Sequence, residues 1–237
     1  MRLLQYGWMS LFLIKFFSNC FGAEVVGLQS DGERLATRLR EMRPERALTN
    51  YAVLKIRGSE GRKSVPVIIY TVPNTNGWEV RYEVSAPASR AEVLSIQHTV
   101  NRPPFYKSNG METNELKNYQ RGIRFAGSDF YREDLGMEFL HWKNQRVIGR
   151  ELSNGRICDI LESRSDGPEI YKSVRSWVDV RLGVILSAEA YDERQIRLKQ
   201  FSVTHFREVE DQWIFSLSIV DSRTGTKTEL SYEASPK

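Results

Sequence analysis

From Asn50 onward the chain alternates apolar and polar residues one by one, and a period of two lets a β-strand bury one face while wetting the other. Residues 51–57 put Ala52, Leu54 and Ile56 on one side and Val53, Lys55 and Arg57 on the other. Trp78, Val80, Tyr82 and Val84 alternate with Glu79, Arg81 and Glu83, and Trp213, Phe215, Leu217 and Ile219 with Ile214, Ser216, Ser218 and Val220. Residues 65–70 form a more continuous apolar run. Gly58-Ser59-Glu60-Gly61 and Pro73-Asn74-Thr75-Asn76-Gly77 supply turn chemistry at hairpin spacing. Further strands are expected over 93–100, 155–162, 170–178, 184–191, 195–203 and 226–232, roughly ten in all. The pattern predicts one mainly β domain with an antiparallel sheet built from meanders.

Two segments depart from that period. Ser30 can cap a helix with Glu33 reaching back to it, and Leu28, Leu35, Leu39 and Met42 then share a face, away from Arg34, Arg38, Arg40 and Arg43. Pro44 stops this helix after about 13 residues. Residues 130–142 predict a second helix with a break at Gly136. Phe130, Leu135, Phe139 and Trp142 lie on one side, with Asp129, Glu133 and Asp134 near its start, where acids suit the helix dipole. Pro103, Pro104 and Gly110 predict an irregular loop over 101–113.

Residues 1–22 have the parts of a secretory signal: Arg2, an apolar stretch from Trp8 to Phe17 interrupted by Lys15, and a small-x-small end at Cys20 and Gly22 before Ala23. The stretch is too short to span a bilayer, and the competing structural uses are an amphipathic anchor or a buried first helix. Cleavage near Gly22 is expected, leaving 23–237 as the mature domain. The formal charge of +4 then falls to +2, with 32 cations against 30 acids, so basicity does not argue for nucleic acid. Of the 2 Cys, Cys20 leaves with the signal and Cys158 stays alone, which rules out a disulfide inside the product. Anchoring through a lipidated Cys20 is the less favoured fate, because Phe17, Ser18 and Asn19 fit that pattern poorly.

Catalytic constellations are absent from the sequence. His98, His141 and His205 have no Cys or His at metal-ligand spacing, and there is no nucleophile elbow, phosphate-cradling loop or dinucleotide fingerprint. Asp129, Glu133 and Asp134 could serve as paired carboxylates, but helix-start acids ordinarily cap. No enzyme activity, cofactor or metal is expected.

The run Gly127-Ser128-Asp129-Phe130-Tyr131-Arg132-Glu133-Asp134-Leu135 is similar to the Ser-Asp-Phe-x-x-Glu-Asp-Leu stretch of the LolA-like outer-membrane lipoprotein-sorting proteins. Around it stand Leu54-Lys55-Ile56-Arg57, the run from Cys158 to Ser163, Trp177-Val178-Asp179, Ala188-Glu189-Ala190-Tyr191-Asp192, and Trp213 with Thr226-Lys227-Thr228. The chain resembles the less characterised branch of that family, whose shape is shared by the LolB and RseB/MucB groups.

The resemblance implies an unclosed, strongly curved antiparallel half-barrel with helices lidding an apolar concave face. It further implies a periplasmic, monomeric carrier that binds acyl chains of lipoproteins or lipids. Inner- or outer-membrane lipoprotein transport components would be its partners, and there would be no nucleic acid. Candidate lipid contacts are Leu54, Ile56, Trp78, Val80, Tyr82, Phe130, Leu135, Trp213, Phe215 and Leu217. An RseB-like lipid-sensing interaction module is the alternative function. The same alternation fits a core filled by its own side chains, and it does not tell groove face from outer face.

Overall fold

The computed structural model describes residues 30–84, 91–109, 111–112, 121–209 and 212–233. The first half of the sheet is β1 (Leu48–Gly58), β2 (Gly61–Asn74), β3 (Gly77–Val84), β4 (Glu92–His98), β5 (Phe105–Ser108) and β6 (Met111–Glu112). The second half is β7 (Asn144–Ser153), β8 (Arg156–Arg164), β9 (Ser173–Asp179), β10 (Ile185–Tyr191), β11 (Arg197–Val209), β12 (Gln212–Asp221) and β13 (Thr226–Glu233). All lie in one antiparallel sheet of 13 strands ordered β6-β5-β4-β3-β2-β1-β13-β12-β11-β10-β9-β8-β7.

The first half walks outward from the centre to β6. The chain then crosses to the opposite edge, and the second half walks back until β13 pairs with β1, Leu54 opposite Leu230 and Ile56 opposite Thr228. β6 and β7 stay apart, so the sheet is curved but open, as the resemblance implies.

The alternating residues make two neighbouring cores on the concave face. One gathers Ala52, Leu54, Val67, Ile69, Val80, Tyr82, Leu94 and Ile96 beneath Phe125, Phe130 and Leu135 of the crossing segment. The other gathers Leu161, Val174, Val178, Ile185 and Ala188 beneath helix α1 (Asp31–Glu41), which contributes Leu35, Ala36 and Leu39, with Met42 at its end. Ser30 Oγ accepts the Glu33 amide at 3.1 Å, the expected cap, while Glu33 turns instead to Arg40 at 3.0 Å. Ser30 Oγ also donates to the Gln145 carbonyl at 3.2 Å, and Arg40 Nη1 donates to the Leu140 carbonyl at 2.6 Å. The helix is thus tied to β7 and to the crossing segment.

Gly32 permits that close approach. A Cβ there would overlap the Gln145 carbonyl and the Arg146 backbone nitrogen. Gly32→Ala should therefore push α1 off the edge strand and destabilise the fold by about 1–3 kcal/mol, read as a lower urea midpoint at unchanged m. A midpoint equal to that of the wild type would show that the helix is not held at this spacing.

Several sequence expectations need correction. The predicted helix over 130–142 is two pieces, α2 (Arg132–Gly136) and a 3-10 turn (Glu138–His141), because Met137 between them is left-handed at φ 48°. Gly136 packs where a Cβ would overlap the Tyr106 hydroxyl. The loop expected over 101–113 contains β5 and β6, and β7 was not anticipated at all. The strand expected from 93 to 100 ends at His98, the one from 170 begins at Ser173, and β11 runs on to Val209. Leu28 and the signal-like segment 1–22 lie outside the described residues. Among the described residues no helix is long and apolar enough to cross a membrane.

Candidate functional site

Between the two cores the concave face is incompletely covered. Phe130, Leu135, Met137 and Phe139 of the crossing segment face Ile185, Ala188, Phe201, Val203 and Leu217 of the sheet across a cleft of about 90 Å³, with Tyr82 at its inner wall. Phe201 and Leu217 are only half-buried, although they pack against the first core. The lining is almost wholly apolar, so the cleft suits hydrocarbon. Its volume holds several water-sized groups or a few methylenes, far short of a whole acyl chain.

The segment over the cleft is fastened by a polar cluster beside it, one member of which, Asp134, also lines the cleft. Asp129 is fully buried, and its carboxylate accepts from Thr226 Oγ1 at 2.6 Å, Thr228 Oγ1 at 2.8 Å and Arg124 Nη1 at 2.6 Å. Its amide donates to Thr228 Oγ1 at 2.9 Å. Arg124 Nη2 extends the contact to Asp221 at 2.9 Å, and Arg223 reaches Asp221 and the Tyr131 hydroxyl.

Lys199 on β11 is also fully buried, with its ammonium 2.6 Å from the Asp129 carbonyl, 2.9 Å from Asp134 Oδ2 and 3.0 Å above the Tyr131 ring centroid. Burial drives the Lys199 pKa down, and the Asp134 charge opposes that shift. Asp134 also accepts from the Tyr171 hydroxyl at 2.8 Å and from the Tyr131 amide at 2.7 Å. Tyr171 is held well above the ordinary phenol range by burial and then by that carboxylate.

The acids expected to serve a helix start therefore have different work. Asp134 does bond the first turn, but it also holds Lys199, and Asp129 joins the crossing segment to β13 and, through Arg124, to β12. Lys199 was missed by sequence reasoning. Its signal is a cation in the same strand column as Phe201 and Val203, one residue type that a buried alternating face does not otherwise tolerate without a partner.

The ten expected lipid contacts separate into groups. Tyr82, Phe130, Leu135 and Leu217 line the cleft. Leu54 and Val80 are sealed in the first core, and Ile56 packs half-buried against it. Trp78 is buried and stacks on His98 with centroids 4.8 Å apart. The side chains of Trp213 and Phe215 lie outside the described residues. Met137, Phe139, Ile185, Ala188, Phe201 and Val203 line the cleft without having been anticipated. Among the described residues no cluster of His, Cys, Asp and Glu has the arrangement of a metal site.

A family model described as an uncharacterized protein matches residues 105–235, more than half of the chain. No curated protein matches the sequence. Among solved structures, an outer membrane lipoprotein-sorting protein domain from Vibrio parahaemolyticus superposes with a TM-score of 0.70 at 16% identity, covering 86% of this chain and 90% of that one. A DUF1329 family protein from Desulfovibrio piger gives 0.67 at 16% identity over 85% and 90%. A LolA superfamily protein from Nitrosomonas europaea gives 0.57 at 14% identity over 86% and 91%. At these identities the shared property is the fold.

Proposed function

Because the chain belongs to the family matched over residues 105–235 and has the LolA-like fold, we propose that it is a carrier of acyl chains, borne on lipids or lipoproteins, that works by binding and release. The observation that supports this reading is the apolar cleft left open between Phe130, Leu135, Met137 and Phe139 above and Phe201, Val203 and Leu217 below. Each methylene moved from water into such a site contributes about 0.8 kcal/mol, so a few buried methylenes already give measurable affinity.

A cleft of about 90 Å³ is the closed form of such a site. A longer chain enters as the Phe130-to-Phe139 segment lifts, and the Asp129 and Lys199 anchors hold one end of that segment while the other moves. Release is the reverse, and the bound chain never gains the full burial a bilayer offers. On this reading the protein is exported, cleaved near Gly22, and acts in the periplasm as a single domain over 23–237.

Filling the cleft tests it. Leu217→Trp or Val203→Trp adds an indole to the void without removing a polar bond, and should weaken binding of a fluorescent fatty acid at least tenfold while far-UV circular dichroism is kept. Wild-type affinity in both variants, with the wild type itself binding, would place the acyl site elsewhere. No uptake and no copurified lipid in the wild type would end the carrier reading.

A further inference from the structure

At the end of the sheet where β7 turns into β8, three aliphatic side chains stand in a row on adjacent strands. Leu152 is opposite Ile157 in the register, and the Val180 amide donates to the Ile157 carbonyl at 3.0 Å. They are 71%, 59% and 46% exposed. The hairpin beneath them is tight, with Asn154 at φ 50° and Gly155 at φ 74° making the two-residue turn.

The surroundings are rich in guanidinium. Arg150 and Arg156 pair with Asp159 and Asp179 at 2.6 and 2.8 Å, which neutralises those acids. Arg181, next to Val180, and Arg38 on α1 are exposed and have no carboxylate partner among the described residues. Behind the aliphatic row, a groove of about 520 Å³ between α1 and the β7–β8 pair is lined by Arg34, Arg38 and Arg150 together with Asp31 and Asp159.

The same end of the sheet carries part of the lining of the apolar cleft. The turn that bears Val180 and Arg181 leads directly into Ile185 and Leu186, both of which line the cleft. Aliphatic side chains in front, arginines around them and, one layer back, a groove in which Arg34 and Arg150 are paired with Asp31 and Asp159 and Arg38 carries the uncompensated charge match the order of an anionic bilayer surface. Hydrocarbon lies below a band of phosphate, and arginine is the side chain that forks onto phosphate.

We propose that this end of the molecule docks on anionic phospholipid membranes, inserting Leu152, Ile157 and Val180 and placing Arg38 and Arg181 against headgroup phosphates. The inference rests on the carrier reading for its purpose, since docking there turns the Ile185 side of the cleft toward the membrane from which an acyl chain would come.

The test is co-sedimentation of the full chain with vesicles of phosphatidylglycerol and phosphatidylethanolamine, and with vesicles of phosphatidylcholine alone. Binding to the anionic vesicles is expected to exceed binding to phosphatidylcholine at least tenfold and to weaken with salt. Leu152→Asp/Ile157→Asp should lower the partition coefficient at least tenfold, and Arg38→Glu/Arg181→Glu about tenfold. These positions are exposed, so thermal melting should be unchanged and fatty-acid uptake retained. That retention separates loss of docking from loss of the cleft. Equal binding to both vesicle types, or wild-type partitioning in both double variants, would overturn the proposal. So would a wild-type dimer that Leu152→Asp/Ile157→Asp converts to monomer without any vesicle binding, since the aliphatic row would then be a contact between two copies.

Discussion

Asp129→Ala is expected to lower stability by about 3–5 kcal/mol, because it strands the partners of a fully buried carboxylate rather than deleting one contact. Arg124 keeps its charge beside Asp221 but loses the nearer acceptor, and the Thr226 and Thr228 hydroxyls lose theirs. For a domain of this length the change corresponds to a fall in Tm of roughly 10 °C. The loss should also be local. The crossing segment should open ahead of the sheet, so trypsin should cut at Arg121 and Arg124 in the folded variant far faster than in the wild type, and a bound fatty acid should dissociate faster. Asp129→Asn, which keeps an acceptor of the same shape without the charge, should fall between the two. A Tm within 2 °C of the wild type, or unchanged proteolysis at those arginines, would show that the segment is held by its apolar contacts alone.

That anchor explains why so much of the sheet could be read from the sequence and so little of the site. β1 and β3 each bury alternate side chains on one face, so period two survives in the residues, and their bounds differ from expectation by a few positions. β7 has no such imprint. It is an edge strand, mostly exposed, with Val147 and Ile148 adjacent across a bulge, so no face is consistently apolar. β5 and β6 are four and two residues long and are masked by Pro103, Pro104 and Gly110 around them.

The crossing segment misled for another reason. Its apolar spacing is helical because Phe130, Leu135 and Phe139 all meet the cleft, yet Met137 turns left-handed between them and Gly136 yields to the Tyr106 hydroxyl. Asp129 reads locally as a helix-start acid. Its hydroxyl partners lie 97 and 99 residues further on, and nothing in a linear pattern announces a contact at that separation. The motif that carried the resemblance is thus conspicuous in the sequence for a structural reason, fixing one end of the segment that covers the cleft.

The second large effect concerns acid. His98 is buried, stacked on Trp78 with rings 6° from parallel, and its Nε2 has no hydrogen-bond partner among the described residues. Burial, with a smaller contribution from the nearby His141, pushes its pKa down to about 3 from 6.5. The unfolded chain therefore takes the proton first. Stability from this residue is complete above pH 6.5 and is lost as pH falls from there toward about 3. Once below pH 6 the slope is about 1.4 kcal/mol per pH unit, so between pH 6 and pH 4 roughly 2–3 kcal/mol goes, a large part of the stability of an ordinary domain.

His141, lowered to about 4 by burial and by Arg40, acts in the same direction, whereas Asp179 and Asp221, held below 3.8, withdraw their contributions only at lower pH. Glu169, raised by burial, works the other way near the bottom of the window. Comparing His98→Phe with the wild type cancels all of these. Phenylalanine keeps the stack on Trp78 and removes the titrating nitrogen, so urea midpoints of the two proteins should diverge steadily from pH 6 to pH 4, with the variant losing about 1.4 kcal/mol less per unit. Parallel curves over that range would mean that His98 takes up its proton without unfolding the strand end that holds it.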